Sequence, residues 1–148
     1  MAKTETEIKI DLKKLKKRLN RMTKNARSTN RLMGLTSIIM HKDILNHFKQ
    51  EEGPDGKWKQ LDPKTVKRRR VGKNKSRGHK ILQDTGLLRA SLILKHTKNT
   101  ARVGSRLEYA GAHNNGTGNV PERKFLWISK KADNLIEKLV GKHYVGDL

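Results

Sequence analysis

ILQDTGLLRASLILKHTKNTARVGS, residues 81–105, decides the fold of this chain, because here a predominantly helical text turns to strand. Thr85 stands where its hydroxyl caps a short turn containing Leu87 and Leu88. Residues 91–97 and 101–105 read as two strands, with Lys98, Asn99 and Thr100 turning between them. In the second strand Ala101, Val103 and Ser105 alternate with Arg102 and Gly104, the period of two expected where one face is covered. A hairpin among helices makes the chain α+β.

Upstream lies KWKQLDPKTVKRRRVGKNKSRGHK, residues 57–80, in which Trp58, Leu61 and Val66 are the only sizeable apolar anchors before Val71. From residue 64 onward its cations are Lys64, Lys67, Arg68, Arg69, Arg70, Lys73, Lys75, Arg77 and Lys80. A loop of this length inside a compact domain is usually functional or disordered. Packing so many charges inward would leave them without partners, so the segment reads as a long basic loop reaching toward DNA or an acidic protein surface. No aromatic side chain interrupts the run from 64 to 80, so any contact with nucleic acid is with phosphates and does not read sequence.

Before the loop, EEGPDG at 51–56 is a turn: proline fixes φ, aspartate bonds its own backbone, and glycine permits positive φ. It ends a helix running from about Leu32 to Lys49, with Leu35, Ile38, Ile39, Leu45 and Phe48 lining one side and Thr36 or Ser28 as candidate caps. A first helix begins at Asp11, a plausible N-cap, and carries Leu12, Leu15, Leu19, Met22 and Ala26 at spacings of three or four. Its other faces hold Lys13, Lys14, Lys16, Lys17, Arg18, Arg21, Lys24 and Arg27.

Downstream of the hairpin, GSRLEYAGAHNNGTGNVPERKFLWIS at 104–129 reads as a glycine-rich loop, with Pro121 leading into an apolar anchor of Phe125, Leu126 and Ile128. The last helix runs from about 129 to 143, capped by Ser129, with Ala132, Leu135, Ile136, Leu139 and Val140 on one face. The expected architecture is a single domain over residues 1–148: N-terminal helices at about 11–50, a basic loop at about 57–80, a β-hairpin at about 91–106 and a C-terminal helix at about 129–143. A small antiparallel β-sheet packs on the N-terminal and C-terminal helices.

Composition sets the rest. The 148 residues hold 35 Lys and Arg against 14 Asp and Glu, a net charge of +21. Solubility alone needs far less charge than this, so a polyanion or an acidic subunit is expected to absorb the field. Hydrophobic residues make up only 33%, which limits the core. The absence of cysteine removes disulfides, a thiol nucleophile and thiolate zinc sites. The N-terminus lacks an apolar signal segment and no stretch approaches the roughly 18 apolar residues of a membrane span, so a soluble chain is expected.

Catalysis finds little support in the residues. The histidines stand at 41, 47, 79, 96, 113 and 143, none paired at the four-residue spacing of a helical metal site. Between residues 57 and 121 the carboxylates are Asp62, Asp84 and Glu108 alone, a poor supply for a two-metal nuclease. The glycines of GAHNNGTG do not follow a strand and open a helix, as a phosphate-binding loop requires. No metal, cofactor or catalytic residue is expected. A nonspecific nucleic-acid-binding protein, and less readily a nuclease using His113 or His79, stand as alternatives to a structural role.

Four fragments in order, PDGKWKQL (54–61), ILQDTGLLRASL (81–92), RVGSRLEYAGAHNNGTG (102–118) and PERKFLWIS (121–129), resemble the phage virion morphogenesis family, the tail-completion proteins of Mu-like and related phages. The resemblance covers about residues 45–140. It implies a non-enzymatic virion protein, present in the host cytoplasm during assembly, that forms a homo-oligomeric ring, taken as hexameric, at the neck or tail end. Its implied partners are portal-side, tail tube or sheath proteins, with possible nonspecific contact to phage DNA and none to membrane. Within the third fragment, Tyr109, His113, Asn114 and Asn115 are the implied subunit-contact loop.

Overall fold

The computed structural model describes residues 12–70 and 80–145. The elements in chain order are α1 (Leu12–Arg27), α2 (Asn30–Gln50), β1 (Glu52–Gly53), β2 (Gly56–Lys57), α3 (Pro63–Arg70), α4 (Leu87–Ala90), β3 (Leu92–His96), β4 (Ala101–Ser105), α5 (Tyr109–Asn115) and α6 (Lys130–Val145). The class is α+β, as the hairpin predicts. The sheet, however, is two separate antiparallel hairpins, β1 with β2 and β3 with β4.

The β3–β4 register sets Leu92 opposite Ser105 and Leu94 opposite Val103. Leu92 is buried, while Ala101, Val103 and Ser105 are half-buried and Arg102 is exposed, but Gly104 is half-buried as well, so the expected alternation holds at Arg102 and not at Gly104. Thr85 Oγ1 accepts the Leu87 N–H at 3.3 Å at the start of α4, also as expected. Pro54 and Asp55 make the tight turn between β1 and β2, and Gly56 takes φ +119°.

Helix α2 is the central element, touching β1, β3, β4 and α6. One cluster of Ile44, Phe48, Trp58, Ile81, Leu82, Leu88, Leu92, Ala110 and Phe125 forms the core. The Phe48 ring meets Trp58 edge-on at 5.8 Å and Phe125 at 5.1 Å, the offset arrangements aromatic quadrupoles prefer. Trp58 Nε1 donates to the Lys124 carbonyl at 3.1 Å, which satisfies the indole inside that cluster.

Several sequence expectations are corrected. The buried face of α2 carries Leu32, Thr36, Ser37, Asp43, Ile44, His47 and Phe48, whereas Ile38 is 43% exposed. Thr36 lies well inside the helix, and neither it nor Ser28 caps a helix that begins at Asn30. On α6 the buried stripe runs through Ala132 and His143, with Ile136 and Leu139 half-buried between them, and Leu135 sits about 60° round the helix, 46% exposed. Ile128 is exposed, and Trp127 packs inward instead, stacked on the His47 ring at 4.3 Å. The segment read as a basic loop contains α3, and the glycine-rich loop contains α5. Asp11, the proposed cap of α1, lies outside the described residues.

Candidate functional site

Helix α3 has a local cause that its charge conceals. Asp62 Oδ1 accepts the Lys64 N–H at 2.7 Å, an N-cap, and Pro63 takes the first helical position, where its missing N–H is no loss. Lys64, Lys67 and Arg68 are exposed on this helix. Arg69 turns inward: Nη1 donates to the Lys80 carbonyl at 2.9 Å and Nε lies 3.4 Å from Asp84 Oδ1. Lys80 is exposed, its carbonyl held by that bond. Arg70 ends the helix, and Lys73, Lys75 and Arg77 lie outside the described residues.

Helix α5 is held by a polar clasp. Asn114 Oδ1 accepts both the Phe125 N–H at 3.1 Å and the Leu126 N–H at 2.9 Å, and its Nδ2 donates to Asn115 Oδ1 at 2.7 Å. The Arg123 N–H closes the same junction on the His113 carbonyl at 2.8 Å. Gly116 ends the helix at φ +72°, and a Cβ there would stand 2.9 Å from the Glu122 nitrogen. Tyr109 is 44% exposed and meets the His113 ring edge-on at 5.9 Å; Asn115 is exposed. Of the four residues implied as a subunit-contact loop, Tyr109 and Asn115 face outward, while Asn114 is committed within the chain.

A buried cation and a half-buried histidine meet behind this clasp. Arg123 is buried, with Nε donating to the Lys59 carbonyl at 3.0 Å and Nη2 to the Gln60 carbonyl at 3.3 Å. Burial, and then the Arg69 guanidinium, lower its pKa from the ordinary arginine value, a shift that leaves it protonated. Burial, and then the charge of Arg123, lower the pKa of His113, whose Nδ1 is buried without a hydrogen-bond partner. Arg123 was not among the residues the sequence singled out, because nothing local signals its burial: its acceptors lie more than sixty residues earlier in the chain.

A serine, a histidine and an aspartate also come together in the interior, and their wiring is structural. Asp43 Oδ2 accepts the Ser129 N–H at 2.8 Å and Oδ1 accepts the Ser129 hydroxyl at 2.6 Å. The Ser129 oxygen in turn accepts the Ala132 N–H at 3.2 Å, capping α6 as the sequence predicts. His47 Nδ1 donates to the Phe125 carbonyl at 3.0 Å, and Nε2 lies 3.5 Å from Asp43, not on the serine. A nucleophilic triad places histidine between serine and carboxylate; here the carboxylate holds the serine directly. Among the described residues no three His, Asp or Glu side chains gather to hold a metal ion.

At the far side of the molecule α1 packs on the end of α6. Asn25 Nδ2 donates to the His143 carbonyl at 2.9 Å, and His143 Nε2 donates to the Asn25 carbonyl at 2.8 Å. Beyond this reciprocal pair, Leu15 and Leu19 are 48% and 52% exposed, surrounded by exposed lysines and arginines.

The model of the phage virion morphogenesis family matches residues 10–144. The chain belongs to that family. It is 33% identical over 109 residues to the Mu-like prophage FluMu G protein 1 of Haemophilus influenzae (strain ATCC 51907 / DSM 11121 / KW20 / Rd), covering 70% of this chain and 71% of that protein. No solved structure matches. The phage virion morphogenesis match extends beyond the four recognisable fragments at both ends and takes in α1 and all but the last described residue of α6. Among the described residues of this family member, no helix is long and apolar enough to cross a membrane. Membership gives the chain a role in building the phage particle, among other virion proteins.

Proposed function

We propose that the chain is a structural subunit of a tailed-phage virion that forms a ring at the neck or tail end, completing the tail and joining it to the head. The observation that carries this reading is the family match across residues 10–144, joined by likeness to a Mu-like prophage protein. The geometry supports it in two ways. Leu15 and Leu19 leave an apolar stripe on α1 uncovered, and a net charge of +21 asks for an acidic or anionic neighbour. A hexameric ring meets both needs: copies cover one another's α1, and the exposed cations face portal-side, tube or sheath proteins, or DNA in the lumen. The reading requires no catalysis, and the Asp43–Ser129 wiring is that of a helix cap.

Electron microscopy of particles assembled without the protein tests the role. Free heads or unfinished tails are expected; normal virions would overturn it. The mass of the purified assembly, or symmetry averaging of the neck, separates a hexamer from other stoichiometries.

The exposed cations of α1 favour a second reading, nonspecific nucleic-acid binding. Titration of a DNA duplex across salt distinguishes it: phosphate contacts predict affinity falling steeply and linearly with salt on logarithmic axes. A shallow slope removes it.

A further inference from the structure

Between α3, α5 and the segment before Phe125 lies a cleft of about 860 Å³. Its apolar wall is Leu61, Leu82, Leu88 and Val120, and its charged lining is Lys59, Arg68, Arg69 and Arg123 against Asp62 and Asp84, together with Tyr109 and His113. The charges in it do not balance. Arg123 is 6% exposed, yet its guanidinium is bonded to backbone carbonyls, and among the described residues no carboxylate lies within ion-pair distance of it. Asp84 answers Arg69 alone, at 3.4 Å. Arg68 stands exposed at the rim and forms no ion pair among the described residues; Asp62, the other carboxylate in the lining, caps α3 through the Lys64 N–H. A buried guanidinium without an anion carries a desolvation cost that an incoming carboxylate offsets.

We propose that this cleft binds an acidic segment of a partner protein, its Asp or Glu carboxylate received by Arg123 and Arg68 and a neighbouring aliphatic or aromatic side chain laid on Leu61, Leu82, Leu88 and Val120. Two features select a peptide over DNA. A duplex presents its phosphates on a convex surface, which meets exposed cations such as those of α1 more readily than a recess. A sugar-phosphate backbone also has nothing apolar enough to use the leucine wall, whereas alternate side chains of a peptide supply charge and hydrocarbon together. That the partner is a virion neighbour rests on the proposed function; the binding chemistry does not, so failure of one leaves the other standing.

The test uses the full chain and a fluorescently labelled octapeptide of alternating Glu and Leu, followed by anisotropy at physiological salt. An octapeptide of alternating Glu and Ser, a DNA duplex and inorganic phosphate serve as competitors. The Glu-Leu peptide is expected to bind more tightly than the Glu-Ser peptide and to resist displacement by phosphate. Arg123→Gln should weaken it about tenfold or more and Arg68→Gln about threefold, while Lys17→Gln on α1, removing the same charge elsewhere, should change it less than twofold. Because Arg68 is exposed and makes no hydrogen bond or ion pair among the described residues, Arg68→Gln carries the test if Arg123→Gln does not fold. Equal weakening by Arg68→Gln and Lys17→Gln would show attraction to net charge alone and overturn the site. Competition by DNA that is lost in Arg68→Gln but kept in Lys17→Gln would make the cleft a phosphate site and overturn the carboxylate assignment.

Discussion

Both oxygens of the Asp43 carboxylate are held by Ser129, one by its backbone N–H and one by its hydroxyl, across 86 residues of sequence. The bond pair fastens the first turn of α6 to the middle of α2, and it orders the junction that also presents Trp127 to His47. The C-terminal helix is therefore positioned by a polar lock as much as by its narrow apolar stripe.

Removing that lock has a graded outcome. Asp43→Ala leaves two partly buried donors unpaired and is expected to lower unfolding free energy by about 2–6 kcal/mol, at about 1–3 per orphaned group. Asp43→Asn keeps one acceptor oxygen and should lose less than half of that. Ser129→Ala, which deletes the cap and one bond, should cost about 1–2 kcal/mol. Urea unfolding followed by far-ultraviolet circular dichroism measures all three; equal losses in Asp43→Ala and Asp43→Asn would show that hydrogen bonding is not what the carboxylate supplies.

Asn114 makes a sharper case, because one oxygen satisfies two backbone donors, at Phe125 and Leu126. Asn114→Ala is expected to cost about 2–3 kcal/mol, lowering the melting temperature by roughly 5–10 °C in a domain of this size. Asn114→Asp retains the accepting oxygen and should restore most of the loss. If Asn114→Ala melts with the wild type, the clasp does not hold α5 to the core.

The elements legible in the sequence are those whose cause is local. The hairpin shows in the alternation of Ala101, Val103 and Ser105, and α6 in the cap Ser129 and the spacing of Ala132, Ile136 and Leu139. Helix α3 was signalled as well, by Asp62-Pro63, but the density of Lys and Arg after it favours a loop reading when charge is weighed before capping. Helix α5 is too short for a period to show, and Asn114-Asn115-Gly116 imitates a turn. Its support is nonlocal, from backbone groups at 125 and 126. The same holds for Arg123, whose burial depends on carbonyls at 59 and 60, and for the polar inner face of α2, where Asp43 and His47 find partners beyond residue 124. Apolar periodicity cannot reveal a core side chain that is buried because it is hydrogen-bonded.

Glu51 tests two effects of opposite sign. It ends α2 in the left-handed region, at φ 56° and ψ 47°, where glycine is the favoured residue. Its Oε1 also accepts the N–H of buried Ile81 at 2.6 Å. Glu51→Gly relieves about 1 kcal/mol of backbone strain but orphans a donor worth about 1–3 kcal/mol and loosens the unfolded chain by about 0.5–1 kcal/mol. The second group wins, so Glu51→Gly should be destabilising by about 1–2 kcal/mol. Glu51→Gln, which keeps an acceptor, should stay within about 0.5 kcal/mol of wild type. A stabilised glycine variant would show that strain outweighs the Ile81 bond.

His113 gives the fold a pH dependence whose sign follows from its surroundings. Burial first, and then the positive charge of Arg123, lower its pKa below the ordinary 6.5. Between the folded and unfolded values the unfolded chain carries the proton and the folded chain does not, so unfolding free energy rises with pH across that window. The contribution is fully present above about pH 7.5 and is lost as pH falls through 6.5 toward the lowered folded value, below which it is flat. His113→Gln removes this titration and leaves the other five histidines in place, so the difference between the two proteins isolates it. Unfolding curves at intervals from pH 8 to 5 should show a shallower acid decline in His113→Gln than in wild type. Parallel declines would mean that His113 titrates alike in both states, and a steeper one that its folded form prefers the proton, contrary to a ring buried beside Arg123.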